Sequence, residues 1–117
     1  MSWTRVTVRR LAAAGVLAAA TIASVGLARA DGDAAAGRKK AAQCVACHGI
    51  DGLSKMPLAP NIAGSPAMYL EKQLKAFRDG ARSDETMNVV VKPLSDADIA
   101  NLAAWYSGIE VEVTLPQ

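Results

Sequence analysis

Cys44-Val45-Ala46-Cys47-His48 is a C-x-x-C-H run, and its reading decides how the rest of the chain folds. In an exported chain this spacing predicts covalent attachment of a c-type haem. Two intervening residues bring both sulfurs within reach of the two vinyl groups on one edge of a porphyrin. His48, next in the chain, is left to bind the iron axially through its imidazole. It is the only histidine in the sequence.

Other readings of the cysteine pair fit less well. Structural zinc needs four ligands, and the chain has no further Cys or His to complete a site. A thioredoxin-like redox pair belongs beside a βαβ pattern, and no strand-helix-strand alternation is visible. A disulfide between neighbours on one turn closes too short a loop to stabilise much.

Working outward, the 117 residues leave room for one small domain. Met1 to Arg10 carries Arg5, Arg9 and Arg10 and no acid. Leu11 to Ala28 is an uncharged, Ala-rich apolar run, and Ala28-Arg29-Ala30 supplies an A-x-A pattern. Together these predict a cleavable signal peptide over residues 1–30, cut after Ala30, and hence a periplasmic protein. The alternative is an uncleaved membrane anchor, because an apolar stretch of this length just spans a bilayer. The Arg9-Arg10 pair is a weak twin-arginine signal. No cysteine closely follows the apolar run to carry a lipid.

Four of the 13 basic residues (Arg5, Arg9, Arg10, Arg29) and none of the 11 acids lie in the leader, so the rest of the chain is net acidic, at −2. That is not a nucleic-acid-binding profile. A chain this short buries a marginal core unaided. Its only aromatics beyond the leader are Tyr69, Phe77, Trp105 and Tyr106. A haem would supply the missing apolar centre.

The pattern beyond Ala30 is helical. Residues 33–43 predict a helix running into Cys44, with Asp33 favourably placed at its N-terminus. Gly37 inside it implies close approach of another helix, with Trp105 as the natural partner. Gly49, Gly52, Pro57, Pro60 and Gly64 make residues 49–64 a loop. Ser65 is expected as an N-cap with Pro66 at the first helical position. Leu70, Leu74 and Phe77 form one apolar stripe that Gly80 ends. Residues 81–92 predict one or two helical turns. Ser95 to Asp98 resembles a capping box that opens a helix with Ile99, Leu102 and Tyr106 on one face, stopped by Gly108. The tail, residues 109–117, alternates apolar and polar but has no partner strand. No phosphate-cradling loop or nucleophile triad is present, and paired acids such as Asp84/Glu85 and Asp96/Asp98 are most simply helix-start charges.

These motifs in order make the chain resemble the class I c-type cytochromes, specifically the short bacterial periplasmic monohaem kind. The resemblance rests on Cys44 to Gly49, Pro60-Asn61-Ile62-Ala63-Gly64, Tyr69 to Leu74 with Phe77-Arg78-Asp79-Gly80, Thr86-Met87 and Leu94 to Ile99. It implies an all-α fold of four to five short helices wrapped around one covalently bound haem c, over residues 31–108, with an extended C-terminal tail. Cys44 and Cys47 would form the thioethers and His48 the proximal iron ligand. The carbonyl of Pro60 would accept a hydrogen bond from the other imidazole nitrogen, Ile62 would lie against the haem, and Arg78 and Arg82 would pair with a propionate.

A single histidine rules out intramolecular bis-His ligation. Met87 resembles the family's distal ligand methionine, whereas Met56 lies on the proximal loop and Met68 opens a core helix. Met87 could also be plain core filler. The family often carries an aromatic in the first helix, where this chain has Ala41 and Ala42.

The resemblance implies a periplasmic carrier that shuttles one electron between larger redox proteins, with no substrate chemistry of its own. One alternative is a dedicated haem subunit of a periplasmic dehydrogenase complex, for example a sulfide dehydrogenase. Another is a gas-binding or peroxidatic haem protein, which needs an open sixth position. The tail is expected either to lie on the domain's surface or to add a strand to a partner.

Overall fold

The computed structural model describes residues 31–117, so the predicted leader lies outside the described residues. Among them the chain forms five α-helices and no strand: α1 (Ala34–Lys40), α2 (Val45–His48), α3 (Ala67–Arg78), α4 (Met87–Val90) and α5 (Asp96–Ser107). A 3-10 turn at Ala41–Gln43 joins α1 to Cys44.

Helix α5 is the axle of the domain. Its buried face, Ile99, Leu102, Ala103 and Tyr106, meets α1 on one side and α3 on the other. The α1 crossing is close because Gly37 has no side chain: a Cβ there would run into the Asn101 carbonyl and lie 3.0 Å from the Trp105 Cβ. The segment entering α1 is tied to the same helix. Asp33 N donates to Asn101 Oδ1 at 2.7 Å, and Lys40 pairs with Asp98 at 3.0 Å. Asp33 also caps α1, its carboxylate accepting from Ala35 N and Ala36 N at 2.8 and 3.1 Å.

The expected capping box at α5 is complete. Ser95 Oγ accepts from Asp98 N at 3.0 Å, and Asp98 Oδ2 accepts from Ser95 N at 3.1 Å. Lys40 beside it lowers the Asp98 carboxyl below the usual carboxylate range. Ser95→Ala removes one arm of the box and is expected to cost about 1 kcal/mol of stability, measurable as a lower denaturant midpoint with an unchanged haem spectrum.

Helix α3 begins one residue later than the sequence predicts. Pro66 is itself the N-cap, in an extended conformation, and its carbonyl accepts the first helical bond from Leu70 N at 3.0 Å. The helix stops at Asp79, and Gly80 follows at φ 79°, a left-handed turn that suits glycine. Leu70 and Phe77 are buried and Leu74 packs partly against them, as the stripe predicts. The ambiguous segment 81–92 contains a single turn, α4.

The tail stays on its own domain at first. Ile109 packs against the core, and Val111 lies beside Gly64. A groove of about 290 Å³ runs between residues 109–112 and Asp51, Leu53 and Ala63. From Glu110 the chain is exposed, Val111 by about half and Val113 and Leu115 both 77% accessible.

Candidate cofactor site

Helix α2 is one turn long and carries the motif. Cys44 is its N-cap, and its carbonyl accepts from His48 N at 2.9 Å. Residues at i, i+3 and i+4 share a helix face, so Cys44, Cys47 and His48 project together. Both cysteines are half-buried. The helix stops at Gly49, whose φ of 73° is in the left-handed region and whose missing Cβ leaves room for the Leu53 carbonyl.

His48 is buried, only 8% exposed. Its Nδ1 lies 2.9 Å from the Pro60 carbonyl oxygen. A carbonyl only accepts, so Nδ1 carries a proton and Nε2 is the ring nitrogen left to face a metal. No enclosed side-chain nitrogen or oxygen lacks a partner among the described residues. Nε2, which makes no hydrogen bond there, therefore opens onto space not filled by protein. An imidazole held through Nδ1 in this way presents Nε2 for metal ligation.

The loop that presents Pro60 is built to hold that carbonyl in place. The Gly52 carbonyl accepts from Ile62 N at 2.8 Å and Ala63 N at 3.1 Å, closing the loop's neck. Asn61 Oδ1 accepts from Ser54 N at 2.7 Å, and the Cys47 carbonyl accepts from Lys55 N at 2.8 Å. Helix α5 anchors the start of the loop with two aromatic donors. Tyr106 OH donates to the Gly49 carbonyl at 3.1 Å, and Trp105 Nε1 donates to the Ile50 carbonyl at 3.0 Å. This anchoring role was not read from the sequence, although a partly buried Trp or Tyr needs a partner for its polar atom. Burial raises the pKa of the Tyr106 phenol.

Of the three methionines described, Met56 and Met68 are 44% and 66% exposed, whereas Met87 is half-buried against the core. Ile62 packs against the same core. Arg78 ties the end of α3 to the start of α5: Nη1 donates to the Leu94 carbonyl at 3.1 Å and pairs with Asp96 at 2.8 Å, while Nε meets Asp79 at 3.1 Å. Asp96 and Asp79 accordingly raise its pKa. Arg82 lies over the Phe77 ring at 4.4 Å and donates to Gln73 Oε1 at 2.6 Å.

A covalently held haem asks for two thiols and an imidazole on one turn, a bare Nε2, a soft donor at the core's edge and an apolar surround. These residues fit it. No group of three or more His, Cys, Asp or Glu among the described residues forms a separate metal site.

Comparison with known proteins agrees with this chemistry. The cytochrome c family model matches residues 34–108. The chain is 50% identical over 82 residues to cytochrome c-554(548) of Halomonas halodenitrificans, covering 68% of this chain and 99% of that one. It is 43% identical over 97 residues to the thiosulfate dehydrogenase electron acceptor of Thiomonas intermedia, covering 81% of this chain and 44% of that one. Reduced recombinant cytochrome c4 from Pseudomonas stutzeri superposes with a TM-score of 0.65 at 40% identity, covering 70% of this chain and 48% of that one. The chain thus spans nearly all of the first relative and under half the length of the other two. By sequence motif, helical architecture and relatives alike, this chain belongs to the cytochrome c family and carries a covalently bound haem c.

Proposed function

We propose that this protein is a periplasmic carrier of single electrons, exchanged between larger redox proteins through a haem held by His48 and Met87. The observation that carries the proposal is the pairing of His48 Nδ1 with Pro60 at 2.9 Å, which leaves Nε2 bare, together with the half-buried placement of Met87. When bound, the haem iron supplies a one-electron ferric–ferrous couple.

The chain's own residues do the rest. Cys44 and Cys47 fasten the group by thioethers. The Pro60 carbonyl fixes the His48 ring and raises its basicity. The Met87 thioether, a soft donor, favours the ferrous state and closes the sixth position against substrates. Tyr106 and Trp105 keep the proximal loop from shifting when the iron changes charge. Ile62, packed against the core, would lie against the haem, Arg82 would pair with a propionate only by leaving Gln73, and any help from Arg78 is limited by its three engaged contacts. Residues 1–30 serve as leader, 31–108 as the haem domain and 109–117 as a tail. No helix among the described residues is long and apolar enough to cross a membrane.

A potentiometric titration tests this reading. One reversible wave with a one-electron slope and no carbon monoxide adduct of the reduced protein at neutral pH is the expected result. A rapid carbon monoxide adduct would show an open sixth position and put gas binding or peroxidatic chemistry forward.

A second reading has an observation behind it. One relative is named as the electron acceptor of a thiosulfate dehydrogenase, and the outer tail, with Val113 and Leu115 exposed, is free to dock. On this reading the protein is the dedicated partner of one periplasmic dehydrogenase. Recovery of a stable complex from periplasm, lost on deletion of residues 113–117, would favour it over a free carrier.

A further inference from the structure

Helix α4 carries Met87, yet it is only one turn long, and a single turn is not stable on its own. Two side chains hold it. Asp84 caps it from below, its Oδ1 accepting from Thr86 N at 3.0 Å and Met87 N at 2.8 Å. Asn88, next to Met87 and half-buried, turns back into the α3–α4 loop. Its Nδ2 donates to the Phe77 carbonyl at 2.5 Å and the Arg82 carbonyl at 2.9 Å, and its Oδ1 accepts from Asp84 N at 2.6 Å. One amide thus joins the end of α3, the connecting loop and the cap of α4. Phe77, at the fixed end of this chain of bonds, is a core residue.

We propose that Asn88 is a positioning residue for the Met87 sulfur, a latch that keeps the thioether at the sixth position against competing ligands. The inference rests on the reading of Met87 as iron ligand. The side chain itself points into the loop, where it makes these three hydrogen bonds. Its effect is to remove the backbone freedom through which a one-turn helix would swing Met87 away. Without Nδ2 the Phe77 and Arg82 carbonyls lose their donor, α4 is held by Asp84 alone, and Met87 leaves more often.

The test uses the ferric holoprotein and imidazole as competing ligand. In Asn88→Ala the neutral-pH ferric spectrum remains low-spin and keeps a weak sulfur-to-iron band, while imidazole displaces the sulfur with about tenfold tighter binding, as expected for losing roughly one net hydrogen bond's worth of restraint. Asn88→Asp keeps the acceptor for Asp84 N, loses the donors and shifts the imidazole affinity in the same direction, so the proposal stays testable if the alanine variant does not fold. Val89→Ala, on the exposed side of the same turn, leaves it unchanged. Imidazole affinity equal to wild type in a folded Asn88 variant would overturn the latch. Persistence of the band in Met87→Ala would instead overturn the ligand assignment, independently of Asn88.

Discussion

Replacing Cys44 and Cys47 together by alanine is expected to abolish covalent haem and, with it, most of the fold. The reason is the thinness of the protein's own core. Among the described residues nine apolar side chains are buried, two of them alanines, and the largest that are fully buried are Ile99 and Val91. A chain of this size has little stability to spare. The haem, fastened to α2 by the two thioethers, would add the apolar centre that this small core lacks, and the covalent bonds would keep it there through unfolding. Periplasmic extracts of the double variant should show no haem on a denaturing gel. Any soluble protein should have lost most of its helical circular dichroism. Haem that survives denaturation in this variant would contradict the assignment of the two thiols.

The second large effect is expected at the helix crossing. In Gly37→Leu the new Cβ overlaps the Asn101 carbonyl, which is backbone and cannot swing aside. Helix α1 must then lift from α5, breaking the Asp33–Asn101 hydrogen bond and the Lys40–Asp98 pair as it goes. Overpacking of this kind against backbone costs on the order of 3 kcal/mol. The holoprotein should unfold at a markedly lower denaturant concentration, while its spectrum before unfolding stays that of wild type. Gly37→Ala should show a smaller loss in the same direction.

Much of this was legible in the sequence because the relevant signals are local. The C-x-x-C-H run fits on one turn, the Ser95–Asp98 box writes both of its partners into four residues, and the Leu70–Phe77 stripe has helical period. Gly37 signalled a close crossing because glycine inside a helix is otherwise unfavourable. The sequence places the start of α3 one residue early, since Pro66 can occupy the cap as easily as the first turn. Helix α4 was ambiguous for a deeper reason. Its stability comes from Asp84 and Asn88 reaching across the loop, and neither partner is marked by periodicity. Likewise Trp105 and Tyr106 looked like core aromatics, and the carbonyls they meet lie more than 50 positions away. The tail's alternation has no partner strand, and of its two expected placements its first residues take the domain's own surface, where Val111 lies beside Gly64 without a ladder.

The acidic groups tie the helix junctions to pH. Asp96 and Asp98 both have carboxyls held below their ordinary range, chiefly by hydrogen bonds from Arg78 and Lys40. A depressed folded pKa stabilises the fold at pH above the ordinary carboxylate value. That contribution fades as pH falls through the folded value. Both groups are exposed, so the effect is a modest acid weakening of the α1–α5 and α3–α5 contacts.

The most direct test of the His48–Met87 site is the near-infrared absorption of the oxidised protein, in wild type and in Met87→Ala. The expected result is a low-spin spectrum with a weak sulfur-to-ferric-iron band that Met87→Ala abolishes, accompanied by a lower reduction potential. A high-spin oxidised spectrum that the substitution leaves unchanged would mean that Met87 does not close the sixth position, and the protein would then be a ligand-binding haem protein rather than an electron carrier.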